Sequence, residues 1–227
     1  MRERKMTLVV DVGGSHVKVS LGRQSEPIKL ASGPELTPRA MVAEVKKAIA
    51  GRRFDRVSIG YPGPVAKGRP AEEPKNLGRG WVRFDFAKAF GKPVRIVNDA
   101  AMQALGSYAG GLILILGLVT GLGSALVADG MLLGLELAHL PYRKGKTYED
   151  YVGLRGLLRL GKRKWERHVA RVVGMLRHAM QANYVVLGGG EAKRLASLPP
   201  GARPGSNANA IRGGLRLWDM DGSRNRL

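Results

Sequence analysis

Three glycine turns limit the chemistry this chain could do. Gly13-Gly14 follows the run "TLVVDV", Gly121-Leu122-Gly123 follows "LILILGLVT", and Gly188-Gly189-Gly190 follows "NYVVL". Glycine lets backbone N–H groups approach an anion closely, and successive N–H groups make a concave anion site. Phosphoryl transfer needs such cradles, a carboxylate or metal beside the transferring group, and a base for the attacking hydroxyl. Asp11 stands just before the first glycine pair, and Asn98-Asp99 closes the run "PVRIV". Any one turn reads equally well as a tight hairpin. Three of them, each after an aliphatic run, favour phosphate.

Other phosphate motifs fail on detail. "GLLRLGKR", residues 156–163, is nearly a P-loop by spacing. Arg163 stands where Ser or Thr should bind Mg²⁺, and the stretch is leucine-rich and helical. "GKT" at 145–147 lacks the earlier glycine, since position 140 is Leu140. No dinucleotide fingerprint opens a first βαβ unit.

Regular elements must hold these residues in place. "MTLVVD" reads as a strand, "HVKVSLG" alternates as a half-buried strand does, and "PIKLASG" is a third; the three form an antiparallel meander. Residues 37–51 form a helix that Thr37 caps, Pro38 opens and Gly51 stops, with Met41, Val45 and Ile49 on one face. "RVSIGYPGPV" is a strand running into a loop, "FDFAKAFG" a short helix, and "PVRIVNDA" a strand followed by a helix over 100–108. Then come strand, glycine turn and strand, with a second turn at Asp129-Gly130. Residues 146–161 and 162–180 read as two helices. "NYVVLGGGEAKRLASL" reads as strand, glycines and helix, "LPPGARPGSN" as a mobile loop, and "NANAIRGGLRLW" as the last helix. The order restarts after the Asn98-Asp99 strand end, which predicts an α/β protein in two lobes. Residues 1–98 form a smaller N-terminal lobe and 99–227 a larger C-terminal lobe. Whether the last helix returns to the first lobe is open.

Bulk properties narrow the classes. A chain of 227 residues allows one large domain or two small lobes. With 44% hydrophobic and 25% charged residues it can bury a core. It has no cysteine, so disulfides and thiolate metal sites are excluded. The apolar run before Asp11 is too short for a signal peptide. The longest apolar stretch is broken by Gly117, Gly121 and Gly123, so no membrane span and a cytoplasmic location are expected. The net charge of +20 attracts polyanions such as nucleic acid, an anionic membrane or inorganic polyphosphate, unless it serves solubility alone.

The order of the motifs carries a resemblance. "DVGGSHVK" resembles the first phosphate motif of the sugar-kinase/actin superfamily. "IGYPGPV", "PKNLGRGW", "RIVNDA", "TGLGSALVADG", "ELAH" and "VVLGGG" then follow in the order of the ROK family of bacterial sugar kinases. Ser15 after the glycine pair and the lack of a cysteine cluster are most similar to the polyphosphate glucokinases of that family. The resemblance runs from about Val10 to about Gly214. It implies a two-lobed, actin-like ATPase/ribonuclease H-like α/β fold with a central cleft, and transfer of a terminal phosphate to the 6-hydroxyl of a hexose.

The resemblance also assigns roles. Asp99 would be the general base, and Asn76, Asn98, Glu136, His139 and Glu149 would bind the sugar. Asp150 competes with Glu149, and Ala138 stands where the family usually has glycine. Gly13, Gly14 and Ser15 would approach the donor phosphates, with Thr120, Gly121 and Gly123 as a second phosphate loop and Gly189 and Gly190 along the donor. Asp11 would hold Mg²⁺ through water. A structural zinc at His139 is not expected without cysteines. Strand alternation puts Lys18 on the face of His16, where it either meets a phosphate chain or faces water.

The donor is ATP, inorganic polyphosphate or both. Lys162, Arg163, Lys164, Arg167 and Arg171 make a basic stripe that suits a long polyanion or is simply solvated. Glucose is the expected sugar, with mannose, fructose, allose and amino sugars as alternatives. A sugar or polyanion binder without turnover is a second class. ROK transcriptional regulators carry a helix-turn-helix domain before the Asp-Gly-Gly loop. Only ten residues precede Asp11 here, so sequence-specific DNA binding is not expected. A homodimer is usual among such relatives.

Overall fold

Residues 7–12 are buried at every position and form β1 (Thr7–Val12), the middle strand of a five-stranded sheet. The structure is a computed structural model that describes residues 5–22, 26–119, 121–128, 131–205 and 208–219. These fall into two compact units, Met1–Met102 with Ala210–Leu227, and Gln103–Asn209.

In the first unit, β2 (His16–Leu21) pairs antiparallel with β1, and β3 (Ile28–Ala31) antiparallel with β2. This is the expected meander. Helix α1 (Pro38–Ala48) starts as its sequence requires, with Thr37 Oγ1 accepting from the Ala40 N–H at 3.3 Å. Its Met41, Val42 and Val45 enter the core. Strand β4 (Arg56–Tyr61) runs parallel to β1, a small hairpin of β5 (Val65–Ala66) and β6 (Arg69–Pro70) follows, and α2 (Phe86–Phe90) leads to β7 (Val94–Asn98) beside β4. The sheet order is β3-β2-β1-β4-β7. β1, β4 and β7 run parallel, which puts Asp11 and Asn98 at the same end of the sheet. Helix α3 (Asp99–Ser107) begins directly on β7.

The second unit repeats the plan with other lengths. Strands β8 (Ile113–Leu118), β9 (Leu122–Ala128) and β10 (Met131–Leu135) pair antiparallel in turn. A hairpin of β11 (Pro141–Arg143) and β12 (Lys146–Thr147) precedes α4 (Tyr148–Val152), α5 (Leu154–Leu160) and α6 (Lys162–Ala179). Strand β13 (Tyr184–Gly188) lies parallel to β8, and β14 (Ala202–Pro204) parallel to β13. Trp165, fully buried, anchors α6 and donates its indole N–H to the Val152 carbonyl at 2.8 Å.

Three expectations are corrected here. Residues 146–161 are not one helix. Gly153 is extended (φ −77°, ψ −177°) and separates α4 from α5. The helix expected after the triple glycine is only a 3-10 turn, Glu191–Arg194, because Leu195 turns extended. The Pro/Gly stretch expected as a loop contains β14, held where Val185 N–H donates to Gly201 O at 3.0 Å and Gly205 N–H to Leu187 O. Asp129 and Gly130, read as a turn, lie outside the described residues.

Helix α7 (Ala208–Arg216) contributes Ala210, Ile211 and Leu215 to a cluster with Val9 and Met102 in the first unit. Ser58 Oγ donates to Gly214 O at 2.6 Å and accepts from Trp218 Nε1 at 2.9 Å. A side chain at Gly214 would strike Val9. No helix among the described residues is long and apolar enough to cross a membrane.

Candidate active site

In the first unit, Asp11 and Lys18 are directly opposite each other across β1 and β2. Lys18 Nζ lies 3.5 Å from Asp11 Oδ2. The Asp11 side chain is only 8% exposed and that of Lys18 21%, so the pair is screened by little water. Burial raises the Asp11 pKa, and Lys18 opposes that rise. On the other side of β1, Gly60 of β4 is level with Asp11. A side chain there would crowd Asp11 Oδ1 and collide with Met102. Gly60 thus makes room for the carboxylate, a role its place inside a strand did not announce.

Asp99 is the first residue of α3. Its pKa is raised to about 7, chiefly by burial and then by the charge of Asp11. The N–H of Ala100, its own N–H and Lys18 pull in the other direction. Near neutral pH the carboxyl is therefore divided between acid and base forms, which is where a general base works best. Asn98 does the capping: Oδ1 accepts from Ala100 N–H at 3.0 Å and Ala101 N–H at 3.3 Å, while Nδ2 donates to Gly63 O at 3.0 Å. One amide N–H remains for another partner.

The first glycine turn is tied down on both sides. Gly13 N–H donates to His16 O at 3.0 Å, and Gly13 O accepts from Ser32 Oγ at 2.6 Å. Gly14 and Ser15 form the exposed tip. Asn76, also exposed, packs against Gly14: a Cβ there would lie 3.4 Å from Asn76 Cβ. The loop carrying Asn76 is set by Glu73, whose Oε2 accepts from the N–H groups of Gly80 and Trp81 at 3.0 Å each. So Asp11, Gly14, Asn76, Asn98 and Asp99 are built by one unit.

In the second unit, Glu149 is the centre. Its Oε1 lies 3.8 Å from His139 Nδ1 and 3.8 Å from Arg155 Nη2. Its Oε2 occupies the space a side chain at Gly121 would need, 2.5 Å from that Cβ position. Gly121 is thus fitted to Glu149, while Gly123 lies within β9 opposite Gly117. Asp150 shares Arg155 with Glu149, Oδ1 lying 3.8 Å from Arg155 Nη1, while its Oδ2 accepts from Thr147 N–H and Thr147 Oγ1 at 3.0 Å each, a capping box that holds its pKa below the usual carboxylate range. Ala138 is buried, outside the left-handed region, and its carbonyl accepts from Glu149 N–H at 3.1 Å. The site needs no glycine there. Glu136, just past β10, is exposed. Gly189 has φ +89°, and a side chain on it would strike the Leu118 backbone, so the third glycine turn closes onto the end of β8. Gly190 has φ −62° and open space, so nothing steric requires glycine. Thr120 lies outside the described residues. Arg155 was not foreseen; no spacing rule links it to Glu149 across the α4–α5 break.

Among the described residues, no three His, Cys, Asp or Glu side chains gather as a metal cluster. A single carboxylate at Asp11 is a donor set suited to Mg²⁺ that keeps its waters and rides on substrate phosphates.

No model of a protein family matches the chain. It is 28% identical over 207 residues to a polyphosphate glucokinase of Mycobacterium leprae, covering 82% of this chain but 63% of that one. The chain thus spans less than two thirds of that relative. An inorganic polyphosphate/ATP-glucomannokinase from Arthrobacter sp. strain KM superposes with a TM-score of 0.68 at 22% identity, over 93% of this chain and 97% of that one. The ROK hexokinase from Thermus thermophilus gives 0.71 at 23% identity, over 95% and 100%. The chain is thus similar in sequence to a polyphosphate glucokinase and shares the α/β fold of the solved ROK hexokinase.

Proposed function

We propose that the chain is a cytoplasmic hexose kinase of the glucokinase type, which moves a terminal phosphate from polyphosphate or ATP to the 6-hydroxyl of a hexose, glucose first among them. The observation that carries this reading is Asp99, with its pKa near 7 beside Asp11 and Lys18. Asp99 takes the hydroxyl proton as the sugar oxygen bonds to the terminal phosphorus and the bridging P–O bond breaks. The shortened donor leaves with the electron pair of that bond.

The other residues bind and orient. Asn76, Glu136, His139 and Glu149 hold sugar hydroxyls, and Asn98 offers its remaining N–H. The N–H groups of Gly14 and Ser15 meet donor phosphate, with Gly13 holding the turn. Gly121 and Gly123 shape the second turn, Gly189 and Gly190 the third. Asp11 would hold Mg²⁺, and that ion would neutralise charge on the transferring group. Lys18 favours the ionised form of Asp11 against the effect of burial. Similarity to a polyphosphate glucokinase and to a polyphosphate/ATP-glucomannokinase supports both donors.

The test is a hexose panel crossed with ATP and polyphosphate in the presence of Mg²⁺, run beside Asp99→Asn. Turnover should appear with at least one pair and fall roughly 10²–10⁴-fold in the variant. Near-normal turnover in Asp99→Asn would sink the assigned base, and sugar binding without turnover would make the chain a binder. Raising the salt should weaken polyphosphate use more than ATP use.

A further inference from the structure

Helix α6 carries Lys164, Arg167, His168 and Arg171 at spacings of three and four, so they share one face. Arg143, from β11, joins them. Together the five line a cavity of about 300 Å³ with no carboxylate in its wall. Among the described residues, none of Arg143, Lys164, Arg167 or Arg171 has a carboxylate oxygen within 4.0 Å; the ion pairs lie elsewhere, as with Lys162 and Glu166. Like charges gathered around a concave wall repel one another and focus a positive field.

The wall offers donors and almost no acceptors. Arginine and lysine have N–H groups only. His168 Nδ1 is 2.9 Å from the Tyr142 hydroxyl, and with that hydroxyl donating, Nε2 carries the ring proton. Burial first, and then Arg143, Arg171, Arg167 and Arg159, push the His168 pKa down, so the ring is neutral at pH 7. The rings of Tyr142 and Tyr151 pack edge-on against it and fix its plane. A ligand here must bring several acceptor oxygens and more than one negative charge. Arginine forks suit phosphate oxygens in pairs.

We propose that this cavity is a binding site for phosphate groups, either inorganic phosphate or a short run of a polyphosphate chain. It stands on the α6 face and the β11 hairpin, and holds whether or not the chain is a kinase. A second basic cavity provides the contrast. It is lined by Lys46, Arg52, Arg53 and Lys92, but also by Asp55 and the apolar Ile49, Phe54 and Phe90. Its carboxylate and apolar floor make it a mixed surface.

Calorimetric titration of the full chain with inorganic phosphate and with tripolyphosphate tests the proposal. The Arg167→Ala/Arg171→Ala variant should lose one saturable site, or weaken it about tenfold or more. The control Arg52→Ala/Arg53→Ala should change affinity less than about twofold, both variants keeping the wild-type melting temperature. Sites at the glycine turns would persist in the first variant as residual binding. Saturation by phosphate alone identifies a single-group site, and a requirement for tripolyphosphate identifies a chain; either supports the proposal. The His168 ring signals in NMR should move on titration, with the histidine pKa rising once an anion is near. Equal loss in both double variants would show diffuse attraction by the +20 chain and overturn the site. So would unchanged titration in the Arg167→Ala/Arg171→Ala variant, or tighter binding of duplex DNA than of tripolyphosphate through the same arginines.

Discussion

Asp99 and Asp150 both stand in the first turn of a helix, one in each unit. Asp99 is shielded from water and lies in the field of Asp11, and its pKa rises to about 7. Asp150 accepts two hydrogen bonds from Thr147 and lies 3.8 Å from Arg155 Nη1, and its pKa falls. A helix start favours negative charge at both places. It does not decide the outcome. Desolvation and a like charge make one carboxylate reluctant to ionise and ready to take a proton. Local donors make the other a permanent acceptor.

The comparison breaks first at Asp99. Asp99→Asn should remove most turnover and yet stabilise the fold in alkali. Its folded pKa lies above the unfolded value, so ionising it costs the folded state free energy. That cost is absent below about pH 4 and complete above pH 7. The variant should therefore melt higher than wild type at pH 8 and level with it near pH 4, by calorimetry at the two pH values. A lower melting temperature at pH 8 would mean that Asp99 is a structural cap.

Lys18→Met probes the field that shapes Asp99. It leaves Asp11 desolvated without its cation, at a cost of about 1.5–3 kcal/mol while Asp11 is ionised. The cost should fade as acid protonates Asp11. Because Lys18 also holds the Asp99 pKa down, the rise of kcat/KM with pH should move to higher pH. Lys18→Arg should restore most of the wild-type profile. An unmoved profile would leave Lys18 a plain strand residue.

These two residues also mark how far sequence reasoning reached. The meander, the Thr37 cap and the strand ending on Asn98-Asp99 follow from local pattern, and they stand in the structure. Alternation alone left Lys18 between phosphate and water, and it gave no sign of the hairpin register that sets Lys18 opposite Asp11. Thr147-x-x-Asp150 is a capping-box spacing visible in the sequence, and it separates Asp150 from Glu149. Gly60, Arg155 and the pairing of β14 with β13 carry no local signal, since each depends on a neighbour distant in the chain or across a helix break. The basic stripe was legible on α6, while Arg143 joins it only through the fold of β11.

Gly121→Ala sharpens the view of the second unit. The added methyl would contend with Glu149 Oε2 for the same space. If Glu149 binds sugar, the variant should raise the hexose KM about tenfold, as Glu149→Gln should, with kcat less affected. The double variant Gly121→Ala/Glu149→Ala should be no worse than Glu149→Ala alone, because the clash has gone. Additive losses would separate the two residues.

Asp150→Ala has the smallest effect and tests the other half of the comparison. It removes both bonds to Thr147, a cap loss of about 1 kcal/mol. In a chain of this size that lowers the melting temperature by about 2–4 °C at pH 7. The pKa of Asp150 is depressed, so its contribution is present above the ordinary carboxylate value and lost as pH falls through the folded one. The gap between variant and wild type should therefore close in acid; Asp99→Asn has the opposite sign, a gain absent below about pH 4 and complete above pH 7. Kinetic constants should stay within about twofold if Glu149 keeps its place, because α4 is also held by Glu149 N–H on Ala138 O and by Tyr148 N–H on Leu140 O. A large rise in hexose KM would show that the capping box also sets the position of Glu149.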